Sequence, residues 1–177
     1  MKLVIASDIH GSAAAVRALA ARIEAESPDR IVLLGDVLYH GPRNDLPEGY
    51  APREVAAVLN GMAGRIVAVR GNCDAEVDQM LLDFPCMADY ALVEADGHEL
   101  FLTHGHLDLA PSLAPGSALL TGHTHVKTLD ERDGVLHVNP GSTSIPKDGT
   151  ASYAVYDRSA FALKTLDGAV LREGGWS

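Results

Sequence analysis

Five short apolar runs each end within a few residues of side chains able to hold a metal ion. Residues 3–6 lead into Asp8 and His10, residues 31–34 lead through Gly35 into Asp36, and residues 66–69 lead to Asn72, Cys73 and Asp74. Residues 100–102 lead into His104 and His106, and residues 119–120 lead through Gly122 into His123 and His125. Such runs, bounded by glycine and polar residues, read as buried strands. Between the first three the period changes to that of a helix. Val16, Leu19, Ala20 and Ile23 form one apolar stripe, with Ser12 as its N-cap and Arg22 and Glu24 facing outward. Val55, Val58, Leu59 and Met62 form a second, with Pro52 in the first turn and Gly64 beyond its end. The longest irregular stretch is residues 40–52.

This order predicts strand, helix, strand, helix, strand. Right-handed crossovers make the three strands parallel and bring Asp8, Asp36 and Asn72 to one sheet edge. In open α/β sheets, ligands bind beyond the carboxyl ends of the strands. From about Asp89 the texture shifts to short strands with turn signals at Asp96-Gly97, Asp133-Gly134, Asp148-Gly149 and Asp167-Gly168. A second, mostly antiparallel or mixed sheet is expected, whose hairpins supply His104, His123 and His125 from the facing side. Helices then lie outside two packed sheets. A length of 177 residues suits one domain over 1–177, and no repeat or low-complexity linker divides it.

Charge narrows the partners. With 24 acidic and 14 basic residues the formal charge is −10, which argues against stable binding to nucleic acid or acidic membranes and favours a small soluble partner. Cys73 and Cys86 are the two cysteines and form no CxxC pattern, so neither a disulfide framework nor a cysteine-rich zinc site is suggested. The amino-terminal apolar run is too short for a signal peptide, and no stretch approaches the roughly 20 residues of a membrane span. A cytoplasmic protein is expected.

Asp8, His10, Asp36, Asn72, His104, His123 and His125 offer more nitrogen and oxygen ligands than one tetrahedral ion takes. With Asp36 as a bridge, Asp8, His10 and His125 can complete one shell and Asn72, His104 and His123 another. Two divalent ions against two carboxylates leave a cationic centre, for which a phosphate is the natural guest. Paired ions about 3.5–4 Å apart lower the pKa of a bridging water and stabilise both oxygens of an in-line displacement.

The blocks DxH, GD, GNxD, HG and GHxH, in that order, resemble the calcineurin-like metallophosphoesterases. The run GDVLYHGPRN, the variant GNCD and NPGS at 139–142 are similar more narrowly to the bacterial YfcE-type phosphodiesterases. The resemblance implies a four-layer αββα sandwich of two mixed sheets flanked by helices, and hydrolysis of phosphodiesters by attack of a metal-bridging hydroxide. It implies two divalent ions, commonly manganese, held as partitioned above, and self-association into a dimer or tetramer. Zinc outranks manganese in affinity for such ligands. Cys73 departs from the wider family, which has histidine there to bind phosphate or protonate the leaving group. A thiol lacks the imidazolium charge, so diesters with good leaving groups are favoured, or His40, His106 or a metal-bound water assists.

The resemblance makes Asn72, Cys73 and Asp74 the catalytic candidates, with Asp74 orienting a neighbour. The residue pattern alone also allows Asp74 to cap the helix carrying Val77, Met80 and Leu81. His40, Arg43 and Asn44 lie on the loop after Asp36, where they can hold phosphate oxygens. His98 and His137 read as structural and Cys86 as core. NPGS reads as a tight turn supporting the site. Two other readings fit the same fold: a phosphomonoesterase or nucleotidase, and a protein-interaction scaffold like the retromer subunit with a metallophosphoesterase-like domain.

Overall fold

In a computed structural model describing residues 1–109 and 111–176, two mixed sheets pack face to face. β1 (Lys2–Ala6), β2 (Arg30–Leu33) and β3 (Ile66–Ala68) are parallel neighbours, joined through α1 (Ala13–Glu26) and α2 (Pro52–Asn60). After β3 comes a single helical turn, α3 (Glu76–Gln79). The second sheet holds β4 (Tyr90–Ala95), β5 (His98–Thr103), β6 (Ala118–Leu120), β7 (Thr128–Arg132) and β8 (Val135–Asn139), in the order β4-β5-β6-β8-β7. The chain then returns to the first sheet as β9 (Ser152–Asp157), β10 (Ala160–Thr165) and β11 (Val170–Gly175), with β9 antiparallel to β1.

Alternation along the strands builds two cores. Leu3, Ile5, Val32 and Leu34 point between the sheets, where they meet Leu100, Leu102, Leu120 and Val138. Their neighbours Val4, Ala6, Ile31 and Leu33 point outward and pack with Val16, Leu19, Ile23, Val55 and Leu59 of the helices. Both helices begin as the sequence predicts. Ser12 Oγ accepts the Ala15 N–H at 3.1 Å, and Pro52 occupies the first turn of α2. Met62 lies past the end of α2 but still packs against the same core.

The sandwich of two mixed sheets with flanking helices is the one expected, and α1 and α2 lie on its six-stranded side. Across the outer face of the five-stranded sheet, beside Leu119 and His137, Pro111, Ser112 and Leu113 run without helix. Proline in a helix interior costs about 3 kcal/mol, and Pro111 and Pro115 stand four residues apart here. No helix among the described residues is long and apolar enough to cross a membrane.

Two turn expectations need correction. Asp148-Gly149 makes no hairpin, because β8 and β9 belong to different sheets; Asp148 instead pairs with Lys127. The histidines also do not come from hairpins. β5, β6 and β8 are mutually parallel, and His104 follows β5 while His123 and His125 follow β6. The carboxyl-end logic of the first sheet therefore applies to the second as well.

Candidate metal centre

Hydrogen bonding fixes the tautomer of three histidines. The Nδ1 atoms of His10, His104 and His125 lie 2.8, 2.6 and 2.8 Å from the carbonyl oxygens of Tyr39, Leu34 and Ile145. A carbonyl only accepts, so each Nδ1 donates and a neutral ring keeps its lone pair on Nε2. Those lone pairs converge. His10 Nε2 and His125 Nε2 are 3.2 Å apart, with Asp8 Oδ1 at 3.6 and 3.1 Å from them. His104 Nε2 lies 3.2 Å from Asn72 Oδ1 and 3.5 Å from Asp36 Oδ2, and that carboxylate oxygen is 3.7 Å from His10 Nε2.

Acceptors facing acceptors in a buried site need a cation between them. Asp8 Oδ1 is buried with no hydrogen-bond partner in the protein. Nitrogens bound to one ion at about 2.0–2.1 Å stand about 3 Å apart, which is the spacing of His10 and His125. Asp8, His10 and His125 form one group able to hold an ion, and Asp8, Asp36 and His104 another. Asp36 Oδ2 faces histidines of both groups, as a shared ligand would. The donor set fits two divalent ions.

Without ions, protons take their place. Burial opposes charge throughout, yet once protonated the His10 and His125 imidazoles, donating toward Asp8 Oδ1, hold its carboxyl well below the carboxylate range. Burial is the largest influence on His10 and His104 and opposes their charge, but the Asp8 and Asp36 carboxylates together with the carbonyl partners of Nδ1 outweigh it, raising both. His123 sits edge-on to His104 at 5.1 Å between ring centres; burial and then the His104 charge lower its pKa. The backbone N–H of His123 donates to Asp8 Oδ2 at 3.1 Å.

The backbone is bent to serve this cluster. Asp8, His10, Asp36, His123 and His125 all have positive φ, between 49° and 66°. Non-glycine residues seldom adopt that region, although Asp and His are among those that tolerate it best. Ser142 Oγ and Ser144 Oγ both donate to the Asp8 carbonyl, at 2.8 and 3.0 Å, and Thr143 ties down Ser7. Asn139 Oδ1 accepts the Gly141 N–H, and its amide donates to the Gly122 carbonyl. The NPGS turn thus supports the site, as the sequence suggests.

Asp74 does not cap α3, which starts after Ala75. Its carboxylate accepts the N–H groups of Asp36, Val37 and Gly71 at 2.7, 2.9 and 2.7 Å, joining the loops after β2 and β3. Val77, Met80 and Leu81, expected as a helix stripe, are exposed. Asp36 Oδ1 in turn accepts the Cys73 N–H, leaving Oδ2 to the histidines.

Asp36, Asn72, Cys73, His123 and His125 line a cleft of about 360 Å³ together with Arg43, Asn44, Thr124 and Lys147. Lys147 was not marked by any period or motif; its backbone N–H donates to the His125 carbonyl at 3.0 Å. Cys73 Sγ stands within 4.8 Å of ligand atoms of His10 and Asp36, and burial, then the Asp36 carboxylate, pushes its thiol up to about 12. His106 packs edge-on to His104, and burial lowers its pKa. His40 is not among the residues lining the cleft: its ring sits between Tyr39 and Tyr50. His98 stacks on Trp176 and Cys86 is buried in the helical core, both structural as expected.

The calcineurin-like phosphoesterase superfamily domain matches residues 1–160. This chain belongs to that superfamily. Within the superfamily, phosphodiesterase YfcE of Escherichia coli K12 is 48% identical over 171 residues, covering 94% of this chain and 93% of the relative. The solved structure of the E. coli phosphoesterase YfcE has a TM-score of 0.96 at 46% identity, over the whole of both chains. Vps29 of Entamoeba histolytica, solved in complex with zinc, matches the whole of both chains at a TM-score of 0.67 and 19% identity. That last likeness shows the fold alone. Calcineurin-like phosphoesterase architecture accounts for the convergence of ligands from both sheets at one rim.

Proposed function

We propose that the protein is a divalent-metal-dependent phosphodiesterase, with one ion held by Asp8, His10, Asp36 and His125 and the other by Asp36, Asn72, His104 and His123. The carrying observation is the buried, partnerless Asp8 Oδ1 beside two imidazole lone pairs 3.2 Å apart. Extensive similarity to a relative named as a phosphodiesterase supports the reaction class. When bound, the ions supply an activated water and neutralise phosphate charge. Manganese is the proposed working ion; zinc competes on affinity.

The chain's own side chains orient the substrate. Arg43 and Lys147 line the cleft, so their donors can reach phosphate oxygens. Asp74 positions Asp36 through three backbone N–H groups rather than touching substrate. Cys73 lacks the charge and ready proton transfer of an imidazolium, so the leaving group gets little proton from it. Esters of acidic alcohols, such as aryl diesters, are the favoured small-molecule class.

With manganese supplied, bis(p-nitrophenyl) phosphate is turned over, and Asp36→Asn and His104→Ala each lower kcat/KM about a thousandfold, ~4 kcal/mol of transition-state stabilisation. Absence of metal-dependent turnover in the wild type would leave the scaffold reading. A higher kcat/KM for p-nitrophenyl phosphate than for the diester would favour a monoesterase or nucleotidase.

A further inference from the structure

Cys73 lines two cavities. One is the metal cleft; the other, of about 290 Å³, is an apolar groove bounded by Leu38, Tyr39, Tyr50, Val77 and Leu81. The thiol lies close against Gly41, where a Cβ would come within 2.8 Å of Sγ. The groove and the cleft thus share one small side chain, which stands within 4.8 Å of the His10 and Asp36 side-chain donor atoms. The groove is also tied to the metal cluster through its own wall, because the carbonyl that orients His10 belongs to Tyr39.

The groove has the character of a binding surface. Tyr39, Val77 and Leu81 are 42%, 59% and 41% exposed, although large apolar side chains gain by burial. Its acidic member, Asp78, is buried and accepts the Ala75 N–H, so little of its carboxylate faces the groove. We propose that this groove is a subsite for one organic group of the phosphodiester, and that it selects an aryl or similarly flat apolar group. The inference rests on the phosphodiesterase reading and names its substrate class. The wall that the groove shares with the cleft at Cys73 favours a substrate group over a protein partner: a phosphate at the centre has an ester oxygen on each side, and a ring attached to one of them is placed to lie past Cys73 in the groove.

Non-hydrolysable phosphonates test this by isothermal titration calorimetry on the manganese-supplemented enzyme. Phenylphosphonate is expected to bind about tenfold more tightly than methylphosphonate, a difference of about 1.4 kcal/mol. In Val77→Ser/Leu81→Ser the ratio falls to within twofold of one, whereas Val170→Ser, on a distant strand, keeps it. Equal wild-type affinities, or a phenyl preference that survives the double substitution, overturn the subsite. Turnover of bis(p-nitrophenyl) phosphate is followed in parallel: turnover with equal affinities rejects the subsite alone, and loss of all turnover in the wild type rejects the phosphodiesterase reading and the subsite with it.

Discussion

Gly71 and Gly122 owe their identity to how closely the backbone approaches the ligands. A Cβ on Gly71 would lie 2.1 Å from Asp36 Oδ1, and one on Gly122 would lie 1.9 Å from Ser7 Oγ and 2.9 Å from Asp8 Oδ2. Neither glycine needs a positive φ, so it is space and not conformation that excludes a side chain. Gly71→Ala is therefore expected to displace the Asp36 carboxylate, weaken manganese binding at least tenfold and destabilise the fold by about 1–3 kcal/mol. Calorimetric titration with manganese and thermal melting check both; unchanged affinity would show that the loop relaxes. The clustered side chains themselves were legible, because Asp and His after apolar runs announce chemistry. Lys147 was not, because its place comes from the backbone link to His125 after a long irregular stretch.

At the scale of elements, the predicted helices and the parallel β1–β2–β3 order were legible from period and caps. The hairpin at Arg158-Ser159 was not. Both residues are left-handed, with φ of 49° and 66°, yet neither is the glycine or asparagine that such a turn favours. Tertiary pairing of β9 and β10 imposes a shape that local preference opposes. Arg158→Asn/Ser159→Gly relieves it, with an expected gain of about 0.5–1 kcal/mol, or roughly 1–4 °C in Tm. Differential scanning calorimetry decides; no gain or a loss would mean that the present side chains contribute more than the turn costs. Asp148-Gly149 misled in the opposite sense: a favourable turn pair says nothing about whether its flanking strands share a sheet.

For the whole molecule, the centre couples stability to pH and to metal. His10 and His104 have raised pKa values in the folded, ion-free protein, so their stabilising protonation is present below the unfolded histidine value and is lost as pH rises through the folded ones. Metal-free protein is expected to unfold more easily at pH 8 than at pH 6. Saturating manganese reverses that trend, adding about 2.7 kcal/mol at a hundredfold excess over Kd. Urea titrations at both pH values, with EDTA or manganese, test the sign; greater ion-free stability at pH 8 would mean that the lowered His106 and His123 outweigh His10 and His104.

Asp8, His10 and Asp36 ride on one sheet, and His104, His123 and His125 on the other, with Leu3, Ile5, Leu102 and Leu120 filling the gap between. The gap is thus a ruler for the ligand cluster. Thinning it from within the core, for example with Leu102→Ala, would change how well the two halves of the rim meet. On the metal-dependent reading, the affinity for a divalent ion is expected to gauge how thickly the interior is packed.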